Sequence, residues 1–320
     1  MIYVESEFAR LRTVVLTQSE FGFPKKPRLG DLRFLQDDAT YESLLHAGKD
    51  FREVYPELQL LWEAERLILK ETLEQHDVRV LTPRKLTKNE KKCARDDGYA
   101  NFFVRDPFFT IGNCVIEASL RFLHRRNEIL PMRDIIYQEI YPKDCVYISA
   151  PRPEIGEKND YGIGPFIEGG DVLVLGKHIL VGSSGLATNY RGATWLGKFL
   201  QKYGYTIELV RLHPDILHLD CALGFVRNGL MVVCKEALLD GVPNVLKTWM
   251  PIEISLNEAS ALATNGLPIS ESVYITDPVF EYIGKQIEAE GIKVEYIDFA
   301  ISRSFGGSFR CSTQPLWRKD

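Results

Sequence analysis

Near the end of the chain, Ser304-Phe305-Gly306-Gly307-Ser308-Phe309-Arg310-Cys311-Ser312-Thr313-Gln314-Pro315 sets a cysteine behind a glycine pair and ahead of a proline. Glycines let a backbone turn tightly and approach a ligand closely, so Cys311 is presented on a constrained loop where a thiol can serve as a nucleophile. The competing reading is a small buried hydrophobe in a terminal strand, a common fate for free cysteine. Three other segments bear on the choice. Asp106 stands in Asn101-Phe102-Phe103-Val104-Arg105-Asp106-Pro107, and Glu168 in Phe166-Ile167-Glu168-Gly169-Gly170-Asp171. His218 and Asp220 stand in Leu217-His218-Leu219-Asp220. Each has a plainer explanation when taken singly. Asp106 before proline can initiate a turn, His218 between leucines can be a core histidine, and Asp171 can cap the turn before a strand. Glu168 is harder to dismiss, because a carboxylate in an apolar run needs a partner. In a strand, His218 and Asp220 point the same way while Cys221 points the other, which leaves Cys221 a structural role.

A cysteine, a histidine and an excess of carboxylates suit one kind of substrate. A thiolate nucleophile ordinarily gains its low pKa from a nearby cation, and surrounding acids do the reverse unless the substrate itself brings the positive charge. A guanidinium is planar, permanently charged, and offers N–H forks that carboxylates accept bidentately. Asp106, Glu168 and Asp220 can hold that fork while Cys311 attacks its central carbon. His218 can protonate the departing amine and then deprotonate the incoming water or amine.

The elements that must bring these groups together recur along the chain. Arg12-Thr13-Val14-Val15-Leu16-Thr17 reads as a first strand, followed by thirty-odd polar residues that read as a long surface loop. Residues 55–75 carry Leu58, Leu61, Trp62, Leu67, Ile68 and Leu73 at three- and four-residue spacing, the mark of an amphipathic helix packed on a core. Short alternating segments follow at Val78-Arg79-Val80, Val146-Tyr147-Ile148, Ile207-Glu208-Leu209, Ile252-Glu253-Ile254 and Val294-Glu295-Tyr296-Ile297. Between them lie hairpin-like pairs over residues 109–116, 171–181 and 223–233, the last turning at Asn228-Gly229. Five sheet-and-helix modules around an axis make an α/β propeller, expected here as one domain over residues 1–320. Loops from successive modules would then converge at one end. The alternative is an open α/β sheet with antiparallel additions.

Composition narrows the setting. In 320 residues, 39 Lys and Arg stand against 44 Asp and Glu, a net charge of -5 that argues against a nucleic-acid surface. No apolar run is long enough to span a bilayer, and the opening Met1-Ile2-Tyr3-Val4-Glu5-Ser6-Glu7 lacks the basic and apolar regions of a secretory signal. The six cysteines form no C-x-x-C pair, which fits reduced thiols in a cytoplasmic protein and no zinc site. His213 and His218 are separated by Pro214 and do not share a helix face. The chemistry as read requires no cofactor and no metal.

Together these motifs resemble the arginine deiminase and amidinotransferase superfamily, the pentein fold of five αβ modules, with a similarity running from about Arg12 to the end. Phe-x-Arg-Asp-Pro is similar to the segment that supplies the family's first guanidinium-binding aspartate, here Asp106. Glu168-Gly169-Gly170-Asp171-Val172-Leu173 resembles the segment of the second carboxylate, here Glu168. His218-Leu219-Asp220 resembles the histidine motif, with the acid/base at His218 and a further guanidinium ligand at Asp220. Gly306-Gly307-x-x-Arg310-Cys311-x-x-x-Pro315-Leu316 resembles the nucleophile loop. The resemblance thus implies Cys311, His218 and Glu168 as catalytic, and Asp106 and Asp220 as substrate-binding.

The branch is divided. The Glu-Gly-Gly-Asp segment and the Arg-Cys-x-x-x-Pro-Leu ending are more similar to arginine deiminases, which hydrolyse arginine to citrulline and ammonia. The inserted helical bundle usual in those enzymes has no room between Asp106 and Glu168. Gly112-Asn113-Cys114-Val115-Ile116-Glu117-Ala118 and Ala187-Thr188-Asn189-Tyr190-Arg191-Gly192 resemble amidinotransferases instead. Against that branch, Arg310 stands where the transferases have histidine and Ser308 where they have a loop glycine. Dimethylarginine hydrolases share the short form but lack an aspartate at the place of Asp220. The residues nearest the chemistry favour a hydrolase of L-arginine or a related guanidino compound, with amidino transfer from L-arginine to an amine as the alternative. A substrate carboxylate calls for a cation, for which Arg105, Arg191, Arg303 and Arg310 are the candidates, Arg310 foremost. The implied partner is a small guanidino molecule, and a homo-oligomer is compatible with the reading.

Overall fold

Five three-stranded sheets of one plan make up the computed structural model, which describes residues 1–28, 39–154 and 161–320. In each sheet a first strand runs antiparallel to a second, and a crossover returns a third strand parallel to the second. Phe108–Ile111, Cys114–Glu117 and Val146–Ser149 make one such sheet. Val172–Leu175, His178–Ser183 and Thr206–Arg211 make the next. Leu223–Arg227, Leu230–Val233 and Met250–Glu253 follow, then Leu267–Ser270, Val273–Thr276 and Lys293–Tyr296. The remaining sheet takes its first strand from the far end of the chain. Thr313–Arg318 pairs antiparallel with Leu11–Leu16, which lies parallel to Arg79–Leu81. The N-terminal module is therefore completed by C-terminal residues, and the ring of five closes on itself as an α/β propeller.

Each first strand is buried over most of its length, and several are apolar runs. Phe108–Ile111 and Leu223–Arg227 show the pattern, because these strands are covered on both faces. Helices fill several crossovers. Pro56 opens the 20-residue helix Pro56–Gln75 at the position where a missing N–H costs nothing. Asn189 caps Tyr190–Leu200 by accepting the Gly192 N–H. Among the described residues, no helix is long and apolar enough to cross a membrane.

Three expectations need correction. The stretch after the first strand is not only loop. Glu20–Gly22 pairs with Tyr99–Asn101, and helices Ala39–Leu45 and Phe51–Val54 follow, while residues 29–38 of that stretch lie outside the described residues. A hairpin over residues 267–276 went unread because Pro268 interrupts its apolar run; the proline is accommodated opposite Tyr274 at an irregularity in the pairing. The helix Pro56–Gln75 is where the spacing placed it, but its orientation differs. Trp62 and Leu73 are buried, whereas Leu58, Leu61, Leu67 and Ile68 are exposed.

Candidate active site

The turn before the first strand of each module points to the propeller axis, and each turn carries polar groups. Asp106 lies two residues before Phe108, and Glu168 stands ahead of the tight turn Gly169–Asp171. His218 stands ahead of an equivalent turn, Leu219–Cys221. Asn265 precedes Leu267 by two residues, and Cys311 precedes Thr313 by two. These turns are stitched into a closed ring of hydrogen bonds. Arg105 N–H donates to the Cys311 carbonyl at 3.1 Å, and Gly169 N–H to the Asp106 carbonyl at 3.3 Å. Leu219 N–H donates to Asp171 Oδ1 at 2.9 Å, and Thr264 Oγ1 to the Asp220 carbonyl at 2.7 Å. Arg310 N–H to the Asn265 carbonyl at 3.2 Å completes the circuit. Each turn thus finds a partner for its polar backbone in the neighbouring module, which holds the functional side chains to the accuracy of the ring.

His218 sits in a nest of acids. Its Nε2 is 2.9 Å from Glu168 Oε2, and its Nδ1 is 3.9 Å from Asp106 Oδ1. Burial alone would strip the imidazole of its proton. The carboxylates of Asp106, Asp171 and Glu168 outweigh it and push the pKa up to about 10, so His218 is an imidazolium at neutral pH. Asp106 accepts from Arg125 Nη2 at 2.9 Å on one oxygen and from Gly170 N–H at 2.8 Å on the other. Its burial would raise its pKa, but the charges of His218 and Arg125 hold it below the ordinary range.

Cys311 lies across from these groups, its Sγ 3.6 Å from Asp220 Oδ2. Burial, then Asp220, then Asp106 push the thiol far above its usual pKa, so the sulfur is protonated at rest. The cavity that opens onto these groups is lined by Asp106, Arg125, His218 and Cys311. Its wall is built from Phe21, Phe102, Phe103, Phe305 and Leu217. Glu168 and Asp220, both fully buried, lie behind this lining. A β-carbon on Gly170 would come 2.6 Å from His218 Nδ1 and 2.8 Å from Asp106 Oδ1, so only glycine lets the two functional groups meet over this turn.

All of the expected acids, the histidine and the cysteine converge here, though not by the route expected. His218 and Asp220 share no strand. The backbone is extended at His218 and then enters the Leu219–Cys221 turn, which aims His218 at Glu168 and Asp220 at Cys311. Cys221 does not face away from the acids either. Its Sγ is 3.6 Å from Asp220 Oδ1, the oxygen opposite the one beside Cys311. Asp171 is more than a cap for its own turn. It accepts from Leu219 N–H and from Thr188 N–H at 3.2 Å, tying the His218 turn to the preceding module. Burial pushes its pKa up to about 7 against the pull of His218.

Arg310 is placed differently from a ligand for a substrate carboxylate. Nη1 donates to Asp220 Oδ2 at 2.9 Å, Nη2 to the Val172 carbonyl at 2.7 Å, and Nε and Nη2 to Glu7 at 3.2 and 3.1 Å. It is buried, fully engaged, and no part of the cavity lining. Arg105 is buried beside it and donates to its carbonyl, Arg303 pairs with Asp277, and Arg191 is exposed on the helix Tyr190–Leu200.

Three contributors were invisible in the sequence. Arg125 reaches the cavity and pairs with Asp106 and with both oxygens of Glu128, 2.7 and 2.8 Å away. Burial opposes its charge, and Glu128 and Asp106 more than restore it. Arg125 and Glu128 carry no motif of their own, and the contact to Asp106 is made only in the fold. Asn265 Oδ1 accepts from both Ser308 N–H and Cys311 N–H at 3.2 Å, pinning the loop that carries Cys311. Its signal was its place two residues before a strand, lost with the unread hairpin. Glu7 is the third. Burial works against its charge, but Arg310, Arg105 and Arg318 hold its pKa down to about 2, so an anion anchors three arginines at the axis.

A family model described as arginine deiminase matches residues 96–253. The inosamine-phosphate amidinotransferase 1 of Streptomyces glaucescens is 25% identical over 292 residues, 82% of each chain. The N(G),N(G)-dimethylarginine dimethylaminohydrolase of Pseudomonas aeruginosa is 26% identical over 209 residues, 65% of this chain and 74% of that one. Among solved structures, an amidinotransferase of the saxitoxin biosynthetic pathway of Microseira wollei superposes with a TM-score of 0.82 at 21% identity. That match covers 100% of this chain and 98% of the other, so the two share the pentein fold.

Proposed function

The chain belongs to the arginine deiminase and amidinotransferase superfamily, whose members act on guanidino groups, and from that premise we propose that it hydrolyses a guanidino compound, L-arginine or a close relative, through a covalent amidino-thioether on Cys311. The observation that carries this is the charge around the sulfur. A thiol 3.6 Å from one buried carboxylate and raised by a second is inert until a cation arrives. A guanidinium held by Asp106, Glu168 and Asp220 supplies that cation and lowers the thiol's pKa as it docks.

The steps then balance. As the substrate docks, Cys311 gives up its proton to solvent and its sulfur bonds to the guanidinium carbon. The C–N bond to one terminal nitrogen breaks, and the His218 imidazolium donates the proton that lets this nitrogen leave as ammonia. The now neutral His218, still oriented by Glu168, takes a proton from water as the water oxygen adds to the same carbon. The carbon–sulfur bond breaks as the remaining hydroxyl proton on that carbon passes to the departing sulfur, leaving the neutral ureido product, the Cys311 thiol and the His218 imidazolium. Arg125, paired with Asp106 and Glu128, lies at the guanidinium end of the cavity and fixes the orientation of Asp106 there.

Transfer to an amine is the second reading. It is favoured by the aromatic wall of Phe21, Phe102, Phe103 and Phe305, which limits water at the carbon to be resolved. Incubation with L-arginine, with and without glycine, lysine or ornithine, separates the two. Citrulline and ammonia without an added amine supports hydrolysis, whereas ornithine released only with an acceptor refutes it in favour of transfer. Cys311→Ala is expected to abolish turnover, and retained activity overturns the covalent route.

A further inference from the structure

The helix Pro56–Gln75 is apolar on two opposite sides. Trp62, Leu69 and Leu73 are fully buried against the propeller. On the far side Leu60, Leu61, Leu67 and Ile68 are 63, 57, 55 and 48% exposed. With Ala64 they form a stripe roughly 120° wide at 3.6 residues per turn. No charge interrupts it. Glu65 and Arg66 are turned inward, Glu65 accepting from Ile301 and Ser302, and Arg66 donating to the Gln18 and Phe102 carbonyls. Glu63 is engaged by Arg52, and Lys70 lies 3.8 Å from Glu74. A helix with two apolar faces is ordinarily buried on both, and among the described residues the propeller covers one.

We propose that the second face is covered by the same face of another copy of this chain, the two helices crossing antiparallel at Ala64 about a two-fold axis. The stripe is self-complementary in the way a two-fold interface requires. Counted from Ala64, the residues four before and four after are Leu60 and Ile68, and those three before and three after are Leu61 and Leu67. Leu60 therefore meets the partner's Ile68, Leu61 meets the partner's Leu67, and the small Ala64 lets the backbones approach. Glu57 and Glu71 bound the stripe, and a helix crossing near -50° carries these ends apart into water. The exposed leucines and isoleucine present on the order of 400 Å² of apolar surface, about half of the 800 Å² each partner buries in a stable complex. The remainder is a polar rim, the usual anatomy of such contacts. The acidic margin disfavours an anionic bilayer, which selects helices with lysine or arginine along the apolar face.

Light scattering on the full chain eluting from a sizing column reads the outcome directly. The wild type is expected at the mass of two chains at micromolar concentration. Leu61→Lys and Leu67→Glu should each halve that mass while leaving the circular dichroism spectrum and turnover unchanged, since both positions face solvent in the single chain. Mixing these two variants should restore the two-chain mass. The lysine introduced in one copy then faces the glutamate introduced in the other, while the native Leu67 of the first copy meets the native Leu61 of the second. A wild type that runs as one chain overturns the proposal, as does a dimer that survives both substitutions. Failure of the mixture to reassociate overturns the register.

Discussion

Replacing Asp220 by asparagine tests the electrostatic argument at its centre. The substitution removes a charge 3.6 Å from Cys311 Sγ while keeping an oxygen for Arg310. Two unit charges near that separation repel by about 4 kcal/mol at the effective dielectric of protein sites. Arg310 neutralises part of this, because it sits 2.9 Å from the same oxygen. Taking half of the repulsion as surviving, about 2 kcal/mol, the thiol pKa falls by about 1.5 units, and the thiolate fraction at a fixed pH rises about thirtyfold. A less basic thiolate is a poorer nucleophile, with a Brønsted slope near 0.45, so the net gain in alkylation rate is roughly sevenfold. The assay is iodoacetamide labelling of the substrate-free enzyme at pH 8, with the Cys311 peptide quantified by mass and exposed Cys93 as internal reference. Labelling of Cys311 should accelerate while turnover falls at least tenfold, because the proposed grip of Asp220 on the guanidinium is lost. If labelling is unchanged or slower, with Cys93 constant, the carboxylate does not hold the thiol protonated, and substrate-triggered activation fails with it.

The close approach at Gly170 predicts that Gly170→Ala lowers turnover at least a hundredfold with near-native melting, since the new methyl must displace His218 or Asp106; wild-type kinetics would refute it. The folded-state pKa of His218, about 10, lies above its ordinary 6.5. Its share of stability is therefore complete below pH 6.5 and is lost as pH rises from there through 10. The melting temperature should decline across that window, and less steeply in His218→Gln. Glu7→Gln removes the anion shared by Arg310, Arg105 and Arg318, leaving only Asp220 to pair with Arg310, and should cost about 3–5 kcal/mol in urea unfolding. Because the pKa of Glu7 is depressed to about 2 from 4.5, its contribution in the wild type is present above pH 4.5 and should fade as pH drops toward 2.

Much of this protein was written locally. The strands at residues 146–149, 206–211 and 223–233 announced themselves through alternation and an Asn-Gly turn, because period and turn chemistry are properties of neighbouring residues. The cysteine, the histidine and the three acids that converge at one end of the ring were singled out by type, since so many carboxylates beside a cysteine call for a cationic ligand. What neighbours cannot encode is who meets whom across the ring. Arg310 stands one residue from Cys311, yet its guanidinium is spent on Glu7, 303 positions away, while Arg125 takes the place beside Asp106. Asn265 pins the Cys311 amide over 46 residues, and the first sheet closes only when Thr313–Arg318 returns to Leu11–Leu16. The leucines of Pro56–Gln75 carried the right spacing for a helix but no label saying which of two apolar faces the propeller would cover. Residue type set the chemistry. Ring closure, a long-range event, chose the partners of each charge and the face left to solvent.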